Sequence, residues 1–373
     1  MRTIYESEST PKRDGYRMLG EFEPQTRIWM LWPHRTDNWR DGAKPAQRTF
    51  ADVARAIARF EPVTVCVKPD DYAAARRMLS NEERILVVEM ESDDAWMRDC
   101  GPTFVGNDQG DVRAVHWHFN AWGGLVDGMY FPWDKDALVG VKVADLAGAV
   151  RYRPDSFVLE GGSIHVDGEG TVLTTEMCLL SEGRNPELSR SEIEEKLCEY
   201  LGAEKVIWIR DGIDPNETNG HIDDVACFVA PGEVACIWTE DETDPFYEAS
   251  QAAYRELSKT VDARGRSLKV HKLCLPKKPV YMTGEQVASI DLVDETVERT
   301  TDEPCIASYM NFLIVNGAVV VPQYRDENDA LALEQIQAMF PEREVVGVDT
   351  VEVVYGGGNI HCITQHQPSG IGR

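Results

Sequence analysis

The sequence predicts an α/β fold built as a ring of small modules about a central axis, on three observations. Segments that read as β-rich hairpins recur along the chain, each opened by glycine or asparagine; helical stretches lie between them; and further short strands flank the helices. A hairpin, a helix and another strand, repeated about five times over, do not fit one open doubly wound sheet. A ring of modules is the natural solution, and it places the glycine-bearing inner ends of the hairpins near the axis, where residues distant in sequence share one pocket. The repeat is irregular, so an ordinary α/β sheet with hairpin insertions stands as the alternative.

In chain order, RIWMLWP from Arg27 reads as a strand, and Phe50, Val53, Ile57 and Phe60 share one face of a helix that leads to a second strand, VTVCVKP, from Val63. The first hairpin is CGPTFVGNDQGDVRAVHWHF from Cys100, and the second is EGGSIHVDGEGTVLTTE from Glu160. Ser189 and Glu192 form a capping-box signature ahead of Ile193, Leu197 and Leu201. The third hairpin, NGHIDDVACFVAPGEVACIW, starts at Asn219, and Asp244 followed by Pro245 opens another helix. SYMNFLIVNGAVVVPQY from Ser308 is the fourth hairpin, Ala330 to Phe340 a fourth helix, and GGGNIHCITQ from Gly356 the last module mouth. No low-complexity linker divides the 373 residues, so residues 1–373 are expected to form one domain.

Composition narrows the function. With 43% hydrophobic residues and nine tryptophans the chain is globular, and its net charge of −26 argues against nucleic-acid backbones and anionic membrane surfaces. A cationic substrate fits better, although a solvated acidic surface also serves solubility. The start, MRTIYESESTPKRDG, lacks the apolar stretch of a secretory signal, and no segment approaches the length of a membrane span. Nine cysteines, odd in number and without a CxxC pair, suit a reducing cytoplasm.

Candidate chemistry collects at the hairpin mouths. His221 and Asp223 stand two apart in GHIDDV on an expected strand, so alternation sends both to one face and Ile222 to the other; local hydrogen bonding is the plainer role for such a pair. Trp96 and Asp99 in DDAWMRDCGP precede a Gly-Pro turn, where the aspartate either faces a pocket with Trp96 as its wall or simply caps the turn. Glu160 precedes Gly161 and Gly162 in the same manner. In YGGGNIHC, the glycines ending at Gly358 let backbone approach a ligand closely, and Cys362 is inert if buried alone or reactive if a positive group stabilises its thiolate. His361 is expected to point away from that thiol, as neighbours on a strand do. His116 and His118 alternate without a third ligand, so no metal is expected. The glycine-rich stretch lacks the Lys-Ser/Thr of a phosphate loop, which excludes that mode of nucleotide binding.

Six segments in order, WMLWPHRTDNWRDGAKPAQ, DDAWMRDCGPTF, FNAWGGL, LEGGSIHVDGEGT, ETNGHIDD and YGGGNIHCITQ, closely resemble the agmatine deiminases, within the peptidyl-arginine deiminase group of guanidino-modifying enzymes. The resemblance runs from about Thr10 to Pro368. It implies a five-bladed, pseudo-symmetric α/β propeller of ββαβ modules. It also implies a nucleophile at Cys362, a general acid and base at His221, guanidinium-binding carboxylates at Asp99 and Asp223, a supporting carboxylate at Glu160, and Trp96 in the pocket wall. The expected substrate is agmatine, with no cofactor and a possible homo-oligomer. An arginine-type deiminase, an amidinotransferase and a non-catalytic polyamine-binding propeller are the alternatives. Two departures stand out: His366 in place of glutamine and Leu19 in place of a common proline.

Overall fold

The computed structural model describes residues 1–294 and 296–370, and among them the strands form five small mixed sheets. One plan recurs: an antiparallel pair, a helix, then a strand parallel to the second of the pair. Thr103–Gly106 and Val112–Val115 are followed by the helix Val139–Leu146 and the strand Arg151–Arg153. His165–Val166 and Thr171–Thr175 are followed by Arg190–Leu201 and Lys205–Ile209. Ala226–Ala230 and Glu233–Trp238 lead through Tyr247–Leu257 to Lys269–Cys274, and Leu313–Val315 and Ala318–Gln323 lead through Asp329–Met339 to Glu344–Asp349. Tight reversals inside the pairs use the left-handed backbone that glycine tolerates, as at Gly232 (φ 79) and Gly317 (φ 76).

The fifth sheet joins the two ends of the chain. Thr364–Pro368 runs antiparallel to Gln25–Leu31, with Thr364 opposite Met30 and His366 opposite Ile28. The helix Lys44–Ala58 then returns the chain to Val63–Val67, parallel to Gln25–Leu31, and Ile85–Glu89 extends the edge. The last expected hairpin is therefore completed by the first long strand rather than by its sequence neighbour.

The helices follow from their side-chain periodicity. Phe50, Val53, Ala54 and Ile57 are fully buried on one face of Lys44–Ala58 and join the same apolar cluster as Leu31, Val63 and Val65. Truncating such a residue, as in Phe50→Ala, costs about 3–5 kcal/mol because the surrounding core cannot collapse around the void. Phe60 lies beyond the end of that helix. Ser189 accepts from the Glu192 N–H while Glu192 reaches back to the Ser189 N–H, the expected capping box, and Gly202 (φ 64) ends the helix. The helix expected at Pro245 begins two residues later, at Tyr247, because Asp244 accepts the Phe246 N–H at 2.8 Å and holds a turn there. No helix among the described residues is long and apolar enough to cross a membrane.

Candidate active site

Ahead of the first strand of each antiparallel pair runs a short irregular segment, and these segments meet. Each touches the next. The Gly162 N–H donates to Asp99 Oδ1 at 2.9 Å, His221 Nε2 stands 3.8 Å from Glu160 Oε2, and Asn311 Nδ2 donates to Asp224 Oδ1 at 3.0 Å. The His361 N–H donates to Asn311 Oδ1 at 2.9 Å, and the Arg98 N–H donates to the Cys362 carbonyl at 3.0 Å, so the last segment returns to the first.

The local backbone differs from the expected strands. Asp99 sits in the one-turn helix Met97–Cys100, and His221 is extended but leads straight into the 3-10 turn Ile222–Asp224. His221 and Asp223 nevertheless face the same point, because a turn, like a strand, can bring residues two apart to one side. That point is above Gly162: a β-carbon there would stand 2.5 Å from His221 Nδ1, 2.9 Å from Asp99 Oδ1 and 3.0 Å from Asp223 Oδ2. His361 and Cys362 also lie in a turn, just before Thr364–Pro368, and this corrects the expectation that His361 points away. Its Nδ1 lies 2.8 Å from Asp223 Oδ2, while Cys362 Sγ donates to the same oxygen at 3.6 Å.

The thiol opens on a cavity lined by Trp96, Asp99, Trp122 and Cys362 together with Asp94, Glu217 and Arg299 among others. Trp96 stacks on Trp39 at 5.3 Å and meets Trp122 edge-on at 6.3 Å, forming the aromatic wall. Its indole N–H donates to Asp94 at 2.9 Å and that of Trp122 to Asp99 Oδ2 at 2.9 Å, so both rings are fixed. Gly358 must be glycine: a β-carbon would lie 2.6 Å from the Trp96 ring and 3.1 Å from Cys362 Sγ. In the same lining Glu217 pairs with Arg299 at 2.6 Å.

Charge is arranged around the thiol. Burial pushes the Cys362 thiol well above its ordinary pKa, and Asp223, Asp224 and Asp99 push it further. Burial likewise raises Asp99; His221 pulls it back, Asp223 and Glu160 push it up, and the net shift is upward. For His221 burial opposes the charged form, but Asp99, Cys178 and Glu160 outweigh it and raise the imidazole well above its usual range. Glu160 is fully buried beside Arg184, whose Nε lies 2.9 Å from Glu160 Oε1; burial notwithstanding, Arg184 and His221 hold this carboxyl below its usual pKa.

The structure brings together Asp99, Glu160, His221, Asp223 and Cys362, the residues singled out in the sequence, and adds groups around them that were not singled out there. Asn311, whose Nδ2 lies 3.1 Å from Cys362 Sγ, occupies the hairpin-mouth position of the fourth module, and the repeat itself was the signal. Arg184, Glu21 and Asp224 carry no local signature. Arg98, adjacent to Asp99, turns away from the cavity and bonds Glu21 at 3.0 Å.

Three groups of described residues bring possible donor atoms within 4.8 Å: Glu21 with His165 and His361, Glu160 with Cys178 and His221, and Asp223 with Asp224 and Cys362. We assign no metal to them, because Arg184, Asn311 and the His361 bonds already engage them. His116 and His118 diverge, their Nε2 atoms meeting the Ala137 carbonyl at 2.9 Å and the Pro154 carbonyl at 3.2 Å.

Five mixed sheets whose inner segments gather a thiol, an imidazole and several carboxylates define a cysteine-centred site for a small cation. Comparison with known proteins places that class. Residues 17–368 match the family model of Porphyromonas-type peptidyl-arginine deiminases. The chain is 54% identical over 361 residues to the agmatine deiminase of Pseudomonas aeruginosa, covering 97% of this chain and 98% of that protein. The solved structure of Enterococcus faecalis agmatine deiminase, described as catalysing its reaction, superposes with a TM-score of 0.96 at 62% identity, over 99% of each chain. A serine variant of C. jejuni agmatine deiminase with substrate bound superposes at 0.82 with 26% identity, over 95% of this chain and 97% of that one. The chain belongs to the Porphyromonas-type peptidyl-arginine deiminase family.

Proposed function

We propose that this protein is an agmatine deiminase, hydrolysing agmatine to N-carbamoylputrescine and ammonia through a covalent adduct on Cys362. The observation that carries the reading is Cys362 Sγ at 3.6 Å from Asp223 Oδ2, in a cavity whose wall also holds Asp99. A planar guanidinium presents paired N–H donors that match carboxylates, so Asp99 and Asp223 orient it and balance its charge in a dry site. Asp223 Oδ1 is buried and makes no hydrogen bond among the described residues, which leaves an acceptor for the substrate. Trp96 and Trp122 flank the aliphatic arm, Gly358 leaves room beside the sulfur, and Glu217 offers a carboxylate to the distal ammonium.

The raised thiol pKa makes the free enzyme poorly nucleophilic, and the arriving cation relieves this by stabilising the thiolate. The thiolate then attacks the guanidinium carbon. A C–S bond forms, His221 protonates the departing nitrogen, the C–N bond breaks and ammonia leaves an amidino-thioether. Water deprotonated by His221 adds to that carbon, the C–S bond breaks, and Cys362 returns as the product ureido group forms. Glu160, itself charge-balanced by Arg184, holds His221 and favours its cationic form.

The five ββαβ modules belong, in this proposal, to a five-bladed propeller forming one catalytic domain; support comes from the mutual contacts of the five inner segments and from Thr364–Pro368 pairing with Gln25–Leu31. Nine free cysteines among the described residues support a reducing cytoplasm as its location. The deciding experiment compares ammonia release from agmatine and arginine with mass spectrometry of the products. Agmatine turnover, abolished in Cys362→Ser without loss of fold, is expected. Preference for arginine, or capture of the amidino group by an added amine, would replace agmatine hydrolysis with the corresponding alternative.

A further inference from the structure

His361 is wedged between two carboxylates, one of them Asp223, whose Oδ2 also meets the Cys362 thiol. Its Nδ1 lies 2.8 Å from Asp223 Oδ2 and its Nε2 lies 2.8 Å from Glu21 Oε1. With both carboxylates ionised, and so able only to accept, an imidazolium is the form of the ring that satisfies both contacts. The residue is also fixed through its backbone: its N–H donates to Asn311 Oδ1 at 2.9 Å and its carbonyl accepts Arg98 Nε at 3.2 Å.

We infer that His361 is a positioning residue, a standing positive charge that keeps Asp223 ionised and oriented so that this carboxylate holds the substrate guanidinium, a role that rests on the deiminase reading of the site. The need for it comes from crowding. Asp223 is buried with Asp224 next in the chain, Asp99 converging on the same point above Gly162 and the Cys362 thiol at 3.6 Å, and carboxylates gathered in a dry site protonate unless a cation opposes it. His221 and Arg98 are the other cations that favour ionised Asp223; His221 changes protonation during the proposed reaction, and Arg98 bonds Glu21 instead of Asp223. Of the charges that persist through the cycle, His361 is the one in direct contact with the Asp223 carboxylate.

The far end of the wedge suits this. Glu21 is buried and takes Arg98 Nη1 at 3.0 Å, with His366 Nδ1 at 3.6 Å and His165 Nε2 at 3.8 Å. Burial and nearby Arg98 push His366 down to about 3, so it is neutral, its Nδ1 able to accept the Arg98 N–H at 3.2 Å. Burial and Arg98 also act against charge on His361, but Glu21 and Asp223 overcome them and its pKa is raised. Burial opposes ionisation of Glu21 and Asp223, yet His361 is the foremost group holding both below the usual carboxylate range.

The test uses the full-length chain. Histidine-selective nitrogen NMR on the Cys362→Ser protein, with the His361 signal assigned by its loss on adding His361→Gln, is expected to show a doubly protonated ring at pH 7. Glu21→Gln should move its deprotonation to lower pH. A neutral His361 near pH 7, or a titration unmoved by Glu21→Gln, would overturn the inference whatever the activity. In turnover, His361→Gln should raise KM for agmatine about 10- to 100-fold, the range for a hydrogen bond to a charged group, with a much smaller change in kcat. The acid limb of kcat/KM should move to higher pH as Asp223 loses its cation. A fall in kcat at unchanged KM would overturn the role as well. Wild-type protein inert toward agmatine would instead sink the deiminase reading, and the NMR titration would still judge the state of His361.

Discussion

Replacing Gly162 with alanine perturbs the site at the point where its side chains converge. The new β-carbon would stand 2.5 Å from His221 Nδ1, 2.9 Å from Asp99 Oδ1 and 3.0 Å from Asp223 Oδ2. Non-bonded atoms rest comfortably at about 3.5–4 Å, so His221 has to retreat by about 1 Å. Gly162 is not among the residues of positive φ, so the effect is one of space and not of backbone strain. A misplacement of that size costs about 100-fold in rate, equivalent to about 2.7 kcal/mol in the barrier. Overpacking should lower stability by about 1–3 kcal/mol, which leaves the chain folded under assay conditions. Steady-state ammonia release from agmatine, paired with thermal melts, measures both. Gly284→Ala is the matched control, since nothing lies within 4 Å of a β-carbon there. Undiminished kcat/KM in Gly162→Ala would refute the convergence of His221, Asp99 and Asp223 on one reacting centre.

Further expectations concern the thiol and the buried ion pair. Because burial and three aspartates hold the Cys362 thiol well above its ordinary pKa, alkylation of Cys362 by iodoacetamide in the free enzyme should be slow at neutral pH and accelerate as pH rises; a rate independent of pH from 6 to 9 would contradict this. Arg184→Met strands Glu160 as an uncompensated buried charge and should cost about 3–5 kcal/mol in urea unfolding at neutral pH. The folded pKa of Glu160 lies below its unfolded value, so its contribution is full above the ordinary carboxylate range and is lost as pH falls through the folded value. The stability deficit of Arg184→Met relative to the parent should therefore shrink in acid, and a deficit that is constant with pH would count against the pair. Gly358→Ala, with a β-carbon 2.6 Å from the Trp96 ring and 3.1 Å from the sulfur, should depress kcat/KM by displacing Cys362 against an aromatic wall that cannot yield, and wild-type kinetics there would contradict the packing.

Much of this was legible in the chain because it is local. The capping box at Ser189 and Glu192 and the apolar face of Phe50, Val53 and Ile57 are set by neighbours within a few residues, and both helices formed where periodicity puts them. The pairing of Thr364–Pro368 with Gln25–Leu31 is not local: it joins the two ends of the chain, and no short-range pattern specifies it. Within the site, residue types at hairpin mouths pointed to Asp99, Glu160, His221, Asp223 and Cys362, but the resemblance to known deiminases, not spacing, supplied their expected roles. His361 was misjudged because strand alternation was applied to what is a turn. Glu21 and Arg184 were missed for a related reason: a buried counter-charge is chosen by three-dimensional proximity, and its sequence neighbourhood looks like any other charged loop.

The central claim is that sulfur at position 362 attacks a guanidinium carbon held by Asp99 and Asp223. Rapid acid quench of the enzyme during turnover of agmatine, followed by peptide mass spectrometry, tests it most directly. The peptide carrying Cys362 should gain the mass of agmatine less ammonia, and the adduct should be absent in Cys362→Ser. Sustained ammonia release with Cys362 unmodified, or with the adduct on another of the nine cysteines, would contradict it.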